Sequence, residues 1–290
     1  MLQDISPCIF DNHFYPEKRP DDNSRFIVFR GHVPEKEVLV KESDEGKIEL
    51  PCLGNIKEID PDKAIYLFAL GDESFFLIPE ENEIQQNGSD LRFSKMTELR
   101  RAGLEPRYYI FALYTAFHLN EWYESSNFCG RCGAHTINDT SERARVCTKC
   151  GQKIYPRINP AVIIGVVDKE NNRILLTKYR TGFAQNALVA GFTEIGETLE
   201  ETVKREVMEE VGLNVTNIRY YKSQPWGIAL DILAGFYCDV DGNRQIQMDE
   251  SELKYAKWVS PEDIILQNPD YSLTNEMMRL FKEKGYEGTC

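Results

Sequence analysis

Three glutamates, Glu206, Glu209 and Glu210, fall at i, i+3 and i+4 of a segment with helical character, and that spacing puts three carboxylates on one helical face. Like charges brought this close repel one another, and a bound divalent cation removes the repulsion. Hard oxygen donors suit Mg²⁺ or Mn²⁺, ions that also bind phosphates. The surrounding residues are equally constrained. Gly191 is followed by five residues and then Glu197; seven more lead to Arg205-Glu206, Val207, Met208, Glu209-Glu210, Val211, Gly212 and Leu213. A solvated acidic helix would explain the glutamates, but not two glycines, an arginine and a fourth glutamate at fixed offsets. Arg205 is placed to orient Glu197 and the neighbouring carboxylates.

Four of the eight cysteines form a second cluster. Cys129 and Cys132 make one C-x2-C pair, Cys147 and Cys150 another, with fourteen residues between them. Two such knuckles supply a closed tetrahedral Cys₄ shell for one structural Zn²⁺ per chain. Two disulfides are the competing reading, and the absence of any export signal argues against it. Cys8, Cys52, Cys238 and Cys290 are scattered and read as free thiols.

The elements that must position these groups follow from patterning. Leu199 to Val211 reads as a helix, with Thr198 as N-cap, Glu200 and Glu201 in the first turn and Gly212 as its stop. Strands are predicted at 26–30, 38–40, 65–70 and 75–79, giving a small β-rich N-terminal domain, with a polar loop over 80–90. Aromatic residues recur at helical spacing from Pro106 to about Ser125. Further strands are predicted at 161–168, 173–179, 188–192, 218–226, 232–240 and 255–259, with a short helix at 260–264 and a last helix at 273–284. The expected organisation is therefore a β-rich domain with connecting helix (1–124), a ribbon (125–157) and an α/β domain (158–290). The fold class is α/β (α+β), an α/β/α sandwich preceded by a Cys₄ ribbon.

Composition bounds what this assembly does. The net charge of −13, from 34 basic and 47 acidic residues, argues against a general nucleic-acid surface, because such binding rests on phosphate neutralisation. No apolar run approaches the roughly 20 residues of a membrane span, and the N-terminus lacks the pattern of a signal peptide. The chain reads as soluble and cytoplasmic, without a membrane partner.

The pattern G-x5-E-x7-R-E-U-x-E-E-x-G-U over 191–213, with U a bulky aliphatic, resembles the Nudix hydrolases. A zinc ribbon directly before that motif is the arrangement of the NADH pyrophosphatases, a family that includes NAD-capped RNA hydrolases. The likeness covers roughly residues 95–290. It extends to Ser223-Gln224-Pro225-Trp226, the start of a family motif that normally continues Pro-Phe-Pro-x-Ser, whereas this chain continues Gly-Ile-Ala-Leu-Asp. The resemblance implies a metal-dependent hydrolase that splits the diphosphate of NADH or NAD⁺ into NMN(H) and AMP, with the 5′ end of NAD-capped RNA as a further substrate. It implies that Glu206, Glu209, Glu210 and Glu252 hold Mg²⁺ or Mn²⁺ together with the Ala190 carbonyl. It implies that Tyr155 and Phe192 sandwich a base, that Gln224, Pro225 and Trp226 line its pocket, and that Glu142 and Thr274 are further substrate contacts. Asp231 stands where the motif has its final Ser. A homodimer, with the N-terminal domain helping to complete the site, is likewise implied. Two alternatives are an ADP-ribose or other nucleoside-diphosphate pyrophosphatase and a nucleotide-sensing regulator without turnover. The intact glutamate set speaks against the second.

Overall fold

In the computed structural model, residues 1–53, 63–79, 90–181 and 185–290 are described. The polar stretch expected as a loop falls almost wholly outside them. The chain divides into two compact units, one of residues 2–157 with 227–229, the other of 158–226 and 230–290 with Met1.

The first unit is built on a seven-stranded sheet. Its strands are β1 (Phe10–Asp11), β2 (Ser24–Arg30), β3 (Glu37–Glu42), β4 (Ile48–Glu49), β5 (Ile65–Leu70), β6 (Glu73–Ile78) and β7 (Arg92–Lys95). The order is β1-β5-β6-β2-β3-β4, with β7 on β3. The four predicted strands are its centre. Strand β7 and the helix after it, α1 (Met96–Ala102), are additions, because Arg92–Ala102 is short and polar and carries no period a reader could count. Helix α2 (Arg107–Ser125) buries every residue from Tyr109 to Tyr114, so it is enclosed on all sides rather than along one stripe. Lys36, 2 % exposed, ties the sheet to this helix through Glu121 at 2.9 Å and Glu124 at 2.7 Å. The cysteine module adds a three-stranded sheet of β8 (Thr136–Asn138), β9 (Arg145–Cys147) and β10 (Lys153–Ile154), in the order β10-β9-β8. It is anchored within this unit by Arg143, whose guanidinium donates to the Leu67 carbonyl at 2.7 Å.

The second unit is a sandwich. Its sheet comprises β11 (Asn159–Asp168), β12 (Arg173–Tyr179), β13 (Val189–Phe192), β14 (Asn214–Trp226), β15 (Asp231–Asp241) and β16 (Leu253–Val259). The order is β14-β15-β11-β12-β16, with β13 also on β11, and β11 runs parallel to β15. Alternation along β11 decides the two faces. Val162, Ile164 and Val166 pack with Val203, Val207 and Val211 of helix α3 (Leu199–Val211). Ala161, Ile163 and Val167 pack with Met277, Met278 and Phe281 of helix α4 (Leu273–Lys284). The short helix expected at 260–264 is a single 3₁₀ turn, Pro261–Asp263. Among the described residues, no helix is long and apolar enough to cross a membrane.

Candidate active site and zinc centre

Helix α3 starts and stops where its sequence dictates. The Thr198 hydroxyl accepts from the Glu201 amide at 3.2 Å, and the Glu201 carboxylate accepts from the Thr198 amide at 2.8 Å, a complete capping box. Gly212 closes the helix at φ +66°, donating to the Met208 carbonyl at 3.0 Å. The apolar residues of α3 turn to the sheet, which leaves Arg205, Glu206 and Glu209 on the rim.

Arg205 organises that rim. Its Nε and Nη2 grip the two oxygens of Glu197 at 2.6 and 2.9 Å. Nη1 reaches Glu206 at 2.7 Å and Glu209 at 2.9 Å, and Nη2 also donates to the Phe192 carbonyl at 2.9 Å. A planar fork of fixed donors suits this geometry, which a lysine would not reproduce. Glu197, held well below the usual carboxylate range chiefly by Arg205, also accepts from the Glu194 amide at 3.1 Å and the Thr202 hydroxyl at 3.0 Å. The loop between β13 and α3 is thereby fixed to the helix.

Gly191 explains itself in the same place. A Cβ there would lie 1.9 Å from Cδ of Glu206, so any other residue would push that carboxylate out of its present position. Glu210 points inward, 2 % exposed. Burial pushes its carboxyl up to about 8, and the charges of Glu206 and Glu252 act in the same direction. Glu206 is raised by burial too, against the pull of Arg205. Glu252 is exposed and acts on this group through its charge. The Ala190 backbone lies at the same spot, because the Tyr179 hydroxyl touches Glu210 at 3.0 and 3.2 Å, accepts from the Ala190 amide at 3.1 Å and lies 3.4 Å from the Ala190 carbonyl. Carboxylates gathered at the cost of their own ionisation, with a backbone carbonyl beside them, fit a divalent cation. Tyr179 was not among the residues singled out from sequence. It ends an apolar strand segment, and nothing in Leu-Leu-Thr-Lys-Tyr marks its hydroxyl as part of a site.

The expected substrate contacts are distributed differently. Phe192 is 52 % exposed beside the acidic face. Tyr155, 53 % exposed, belongs to the first unit and donates to Glu142 at 3.1 Å, and Glu142 also pairs with Lys153. Gln224 has no exposure at all. Its amide donates to the Tyr271 carbonyl at 2.7 Å and accepts from the Leu273 amide at 2.6 Å, so it fastens β14 to the start of α4. Pro225 is exposed, Trp226 packs half-buried against the α4 core, and Thr274 is half-buried in the first turn of α4. Asp231, 5 % exposed, is pushed up to about 6 by burial, with the Asn159 amide 3.5 Å away. In the first unit, Gly227 approaches helix α2 so closely that a Cβ would lie 2.2 Å from the Tyr114 carbonyl oxygen. A proline at that position does not fit this backbone; the departures at Ile228, Ala229 and Asp231 have no such explanation.

The four thiols of the ribbon converge. Sγ of Cys132 lies 3.4 Å from that of Cys147 and 3.6 Å from that of Cys150, and Cys129 lies 3.7 Å from Cys150. Zn–S bonds of about 2.3 Å require sulfurs about 3.8 Å apart in a tetrahedron, so the set fits zinc and is far from disulfide geometry. The two knuckles repeat each other. Gly133 donates to the Cys129 carbonyl at 2.8 Å and Gly151 to that of Cys147 at 3.1 Å, both glycines at positive φ. The amides of Lys149 and Cys150 donate to Cys147 Sγ at 3.4 Å each, and they pull that thiol down to about 6. Among the described residues, only these four cysteines gather their donor atoms within 4.8 Å of one another.

Comparisons with known proteins agree with both centres. Residues 157–281 match the NUDIX domain, and residues 124–155 match the NADH pyrophosphatase zinc ribbon domain. The ribbon match thus ends directly before the NUDIX match begins, and the two matches include the four cysteines and helix α3 respectively. It is similar to the NAD-capped RNA hydrolase NudC of Klebsiella pneumoniae, at 38 % identity over 164 residues, covering 55 % of this chain and 62 % of that one. It is also similar to the NAD-capped RNA hydrolase NudC of Enterobacter sp., at 37 % identity over 163 residues, covering 55 % of this chain and 61 % of that one. The matched stretch spans about three fifths of the length of these curated relatives. Among solved structures, a NUDIX hydrolase from Nitrosomonas europaea matches with a TM-score of 0.47 and 23 % identity, over 56 % of this chain and 94 % of that one.

Two outcomes test this geometry. Gly191→Ala should displace Glu206 from Arg205 and lower divalent-cation affinity at least tenfold, as read by Mn²⁺ titration, while zinc content stays at one per chain. Unchanged Mn²⁺ affinity would show that the close approach does not matter. Elemental analysis should find one zinc per chain, and its removal by a chelator should unfold the ribbon, because binding energy there is folding energy. Fresh reduced protein that lacks zinc yet keeps the ribbon's amide protection would contradict this.

Proposed function

We propose that this chain hydrolyses the diphosphate bond of a dinucleotide of the NADH or NAD⁺ type, giving NMN(H) and AMP. The observation that carries the reading is the acidic face of α3 within the NUDIX match, where Glu210 lies beside Ala190, Glu206 and Glu210 both feel the charge of Glu252, and Glu209 is held on the same helix by Arg205. The ribbon match and the names of the similar curated proteins support the choice of dinucleotide. The 5′ end of NAD-capped RNA belongs to the same proposal through those names. The cation is Mg²⁺ or Mn²⁺, and the working protein is a soluble cytoplasmic homodimer.

In this reading each residue has a distinct task. Glu206, Glu209, Glu210 and Glu252, with the Ala190 carbonyl, hold the cation. A bound divalent ion acidifies a coordinated water and offsets the charge of the diphosphate. A carboxylate of the same face takes the proton of the attacking water. Arg205 is already engaged by three carboxylates and one carbonyl, so it positions rather than binds substrate. The exposed ring of Phe192 offers a stacking face to a base, and Tyr155 a second one. Glu142, Pro225, Trp226, Asp231 and Thr274 are the further substrate contacts proposed, and Gln224 supports that wall from behind.

A second reading, an ADP-ribose or related nucleoside-diphosphate pyrophosphatase, is favoured by one observation. The loop after Trp226 docks through Gly227 on α2 and carries Asp231 in place of a serine. It changes what is recognised at one end of the substrate and leaves the acidic face alone.

Glu210→Gln should lower turnover by orders of magnitude with the fold intact. A panel of NADH, NAD⁺ and ADP-ribose assayed with the native enzyme separates the two readings by kcat/KM. Near-native rates for Glu210→Gln at limiting Mg²⁺ would remove the assignment altogether. The pH dependence has a definite sign. The Glu210 carboxyl, raised to about 8, is protonated below that pH in the cation-free protein, so a cation must displace a proton there. The cation-free fold loses stability as pH rises from about 4.5 to about 8, because over that range the unfolded carboxyl ionises while the folded one keeps its proton. Thermal stabilisation by Mg²⁺ should therefore be larger at pH 8.5 than at pH 6.5, and an equal shift at both would contradict the assignment.

A further inference from the structure

Strand β12 ends in an irregularity. Along its pairing with β16, Thr177 faces Ala256 and Lys178 faces Tyr255, but Tyr179 faces Leu253, so Lys254 is skipped. The extra residue belongs to β16, so alternation along β12 runs on unbroken. Tyr179 therefore falls on the same face as Leu175, beside the core under α3, with its hydroxyl between two other elements. That oxygen is 3.0 and 3.2 Å from the two oxygens of Glu210 on α3, and it accepts from the Ala190 amide on β13 at 3.1 Å. The next residue continues the link, since the Arg180 amide donates to the Glu252 carbonyl at 2.9 Å. One dipeptide therefore touches all three chain segments whose oxygens were assigned to the cation: Glu210, Ala190 and Glu252.

A phenol has one proton to donate. With the Ala190 amide as its donor partner, that proton has the Glu210 oxygens at 3.0 and 3.2 Å and the more distant Ala190 carbonyl at 3.4 Å as acceptors, so the hydroxyl ties the carboxylate on α3 to the backbone of β13. The bond is not a packing necessity. A phenylalanine would fill the same volume, and the ring already meets the apolar cluster under α3.

We propose that Tyr179 is a positioning residue, which holds the Glu210 carboxylate and the Ala190 backbone in register for a divalent cation. The proposal rests on the cation-dependent reading above. Tyr179→Phe removes one oxygen and keeps the ring. It should raise the Kd for Mn²⁺, followed by electron paramagnetic resonance of the free ion, tenfold or more. kcat at saturating Mn²⁺ should return to within a few-fold of wild type. Tyr220→Phe, an exposed tyrosine on the opposite edge strand, serves as the control and should change neither. A second measurement needs no substitution of function. 3-Fluorotyrosine incorporated into the otherwise native chain should show the Tyr179 ¹⁹F resonance shifting on addition of Mg²⁺. An unchanged Mn²⁺ Kd in a folded Tyr179→Phe protein, or a Tyr179 resonance unmoved by Mg²⁺, overturns the proposal while leaving the hydrolase reading in place. If Glu210→Gln binds Mn²⁺ as tightly as wild type, the hydrolase reading falls and takes this proposal with it.

Discussion

The second unit is arranged around the repulsion between carboxylates that its own sequence brings together. Glu197, Glu206 and Glu209 converge on one guanidinium, and Arg205 settles their charges with every donor face it has. Glu210 lies out of reach of that guanidinium, inside the protein, and meets only a phenol and a backbone amide. Charge is thus satisfied on the loop side of α3 and left unsatisfied on the strand side. The same division explains why Gly191 must lack a side chain. The carboxylate of Glu206 fills the space a Cβ would take, since it has to lie between the arginine and its buried neighbour.

The ribbon solves a similar crowding differently. Its four thiols draw together, and backbone amides donate to Cys147. Soft donors at about tetrahedral spacing leave no position for substrate, so this centre holds shape and performs no chemistry. The acidic face is looser, with its donors on three chain segments. A catalytic ion needs that freedom, because phosphate oxygens must also reach it.

Sequence reading reached the helices and strands that carry strong periodicity. Helix α3 matches from cap to stop, because Thr198, Glu201 and Gly212 each act through local hydrogen bonds that spacing reveals. Strands β5 and β12 match to the residue for a similar reason: both are apolar runs bounded by polar breaks. Strand β7 escaped notice, since its place comes from pairing with β3 and not from a pattern of its own, and helix α1 follows it directly. Gln224 shows the limit of motif position as a guide. Its neighbours in the motif are exposed or half-buried, yet its own amide is consumed by the backbone of Tyr271 and Leu273. Tyr179 shows the converse. Alternation puts its ring on the α3 face with Leu175, but the partners of its hydroxyl lie on α3 and β13, and no inspection of a single strand reveals them.

The departure after Trp226 then has a physical boundary. Gly227 is held against the Tyr114 carbonyl at a distance no side chain tolerates, so this position is fixed by its contact with α2 and not by a ligand. Leu230, at φ +63°, turns the chain back, and its carbonyl accepts from the Asn159 amide at 2.9 Å. Asp231 follows at once, paired in register with Asn159 on β11. A carboxyl buried there costs stability unless something hydrogen-bonds it, and a single amide at 3.5 Å is a weak partner. The segment 227–231 is therefore anchored at both ends by backbone geometry and carries one polar group with unused capacity. The acidic face depends on Arg205, Gly191 and Tyr179, none of which contacts the loop through any bond described above. Substitutions at Asp231 therefore leave the hydrogen bonds around Glu206 and Glu210 in place.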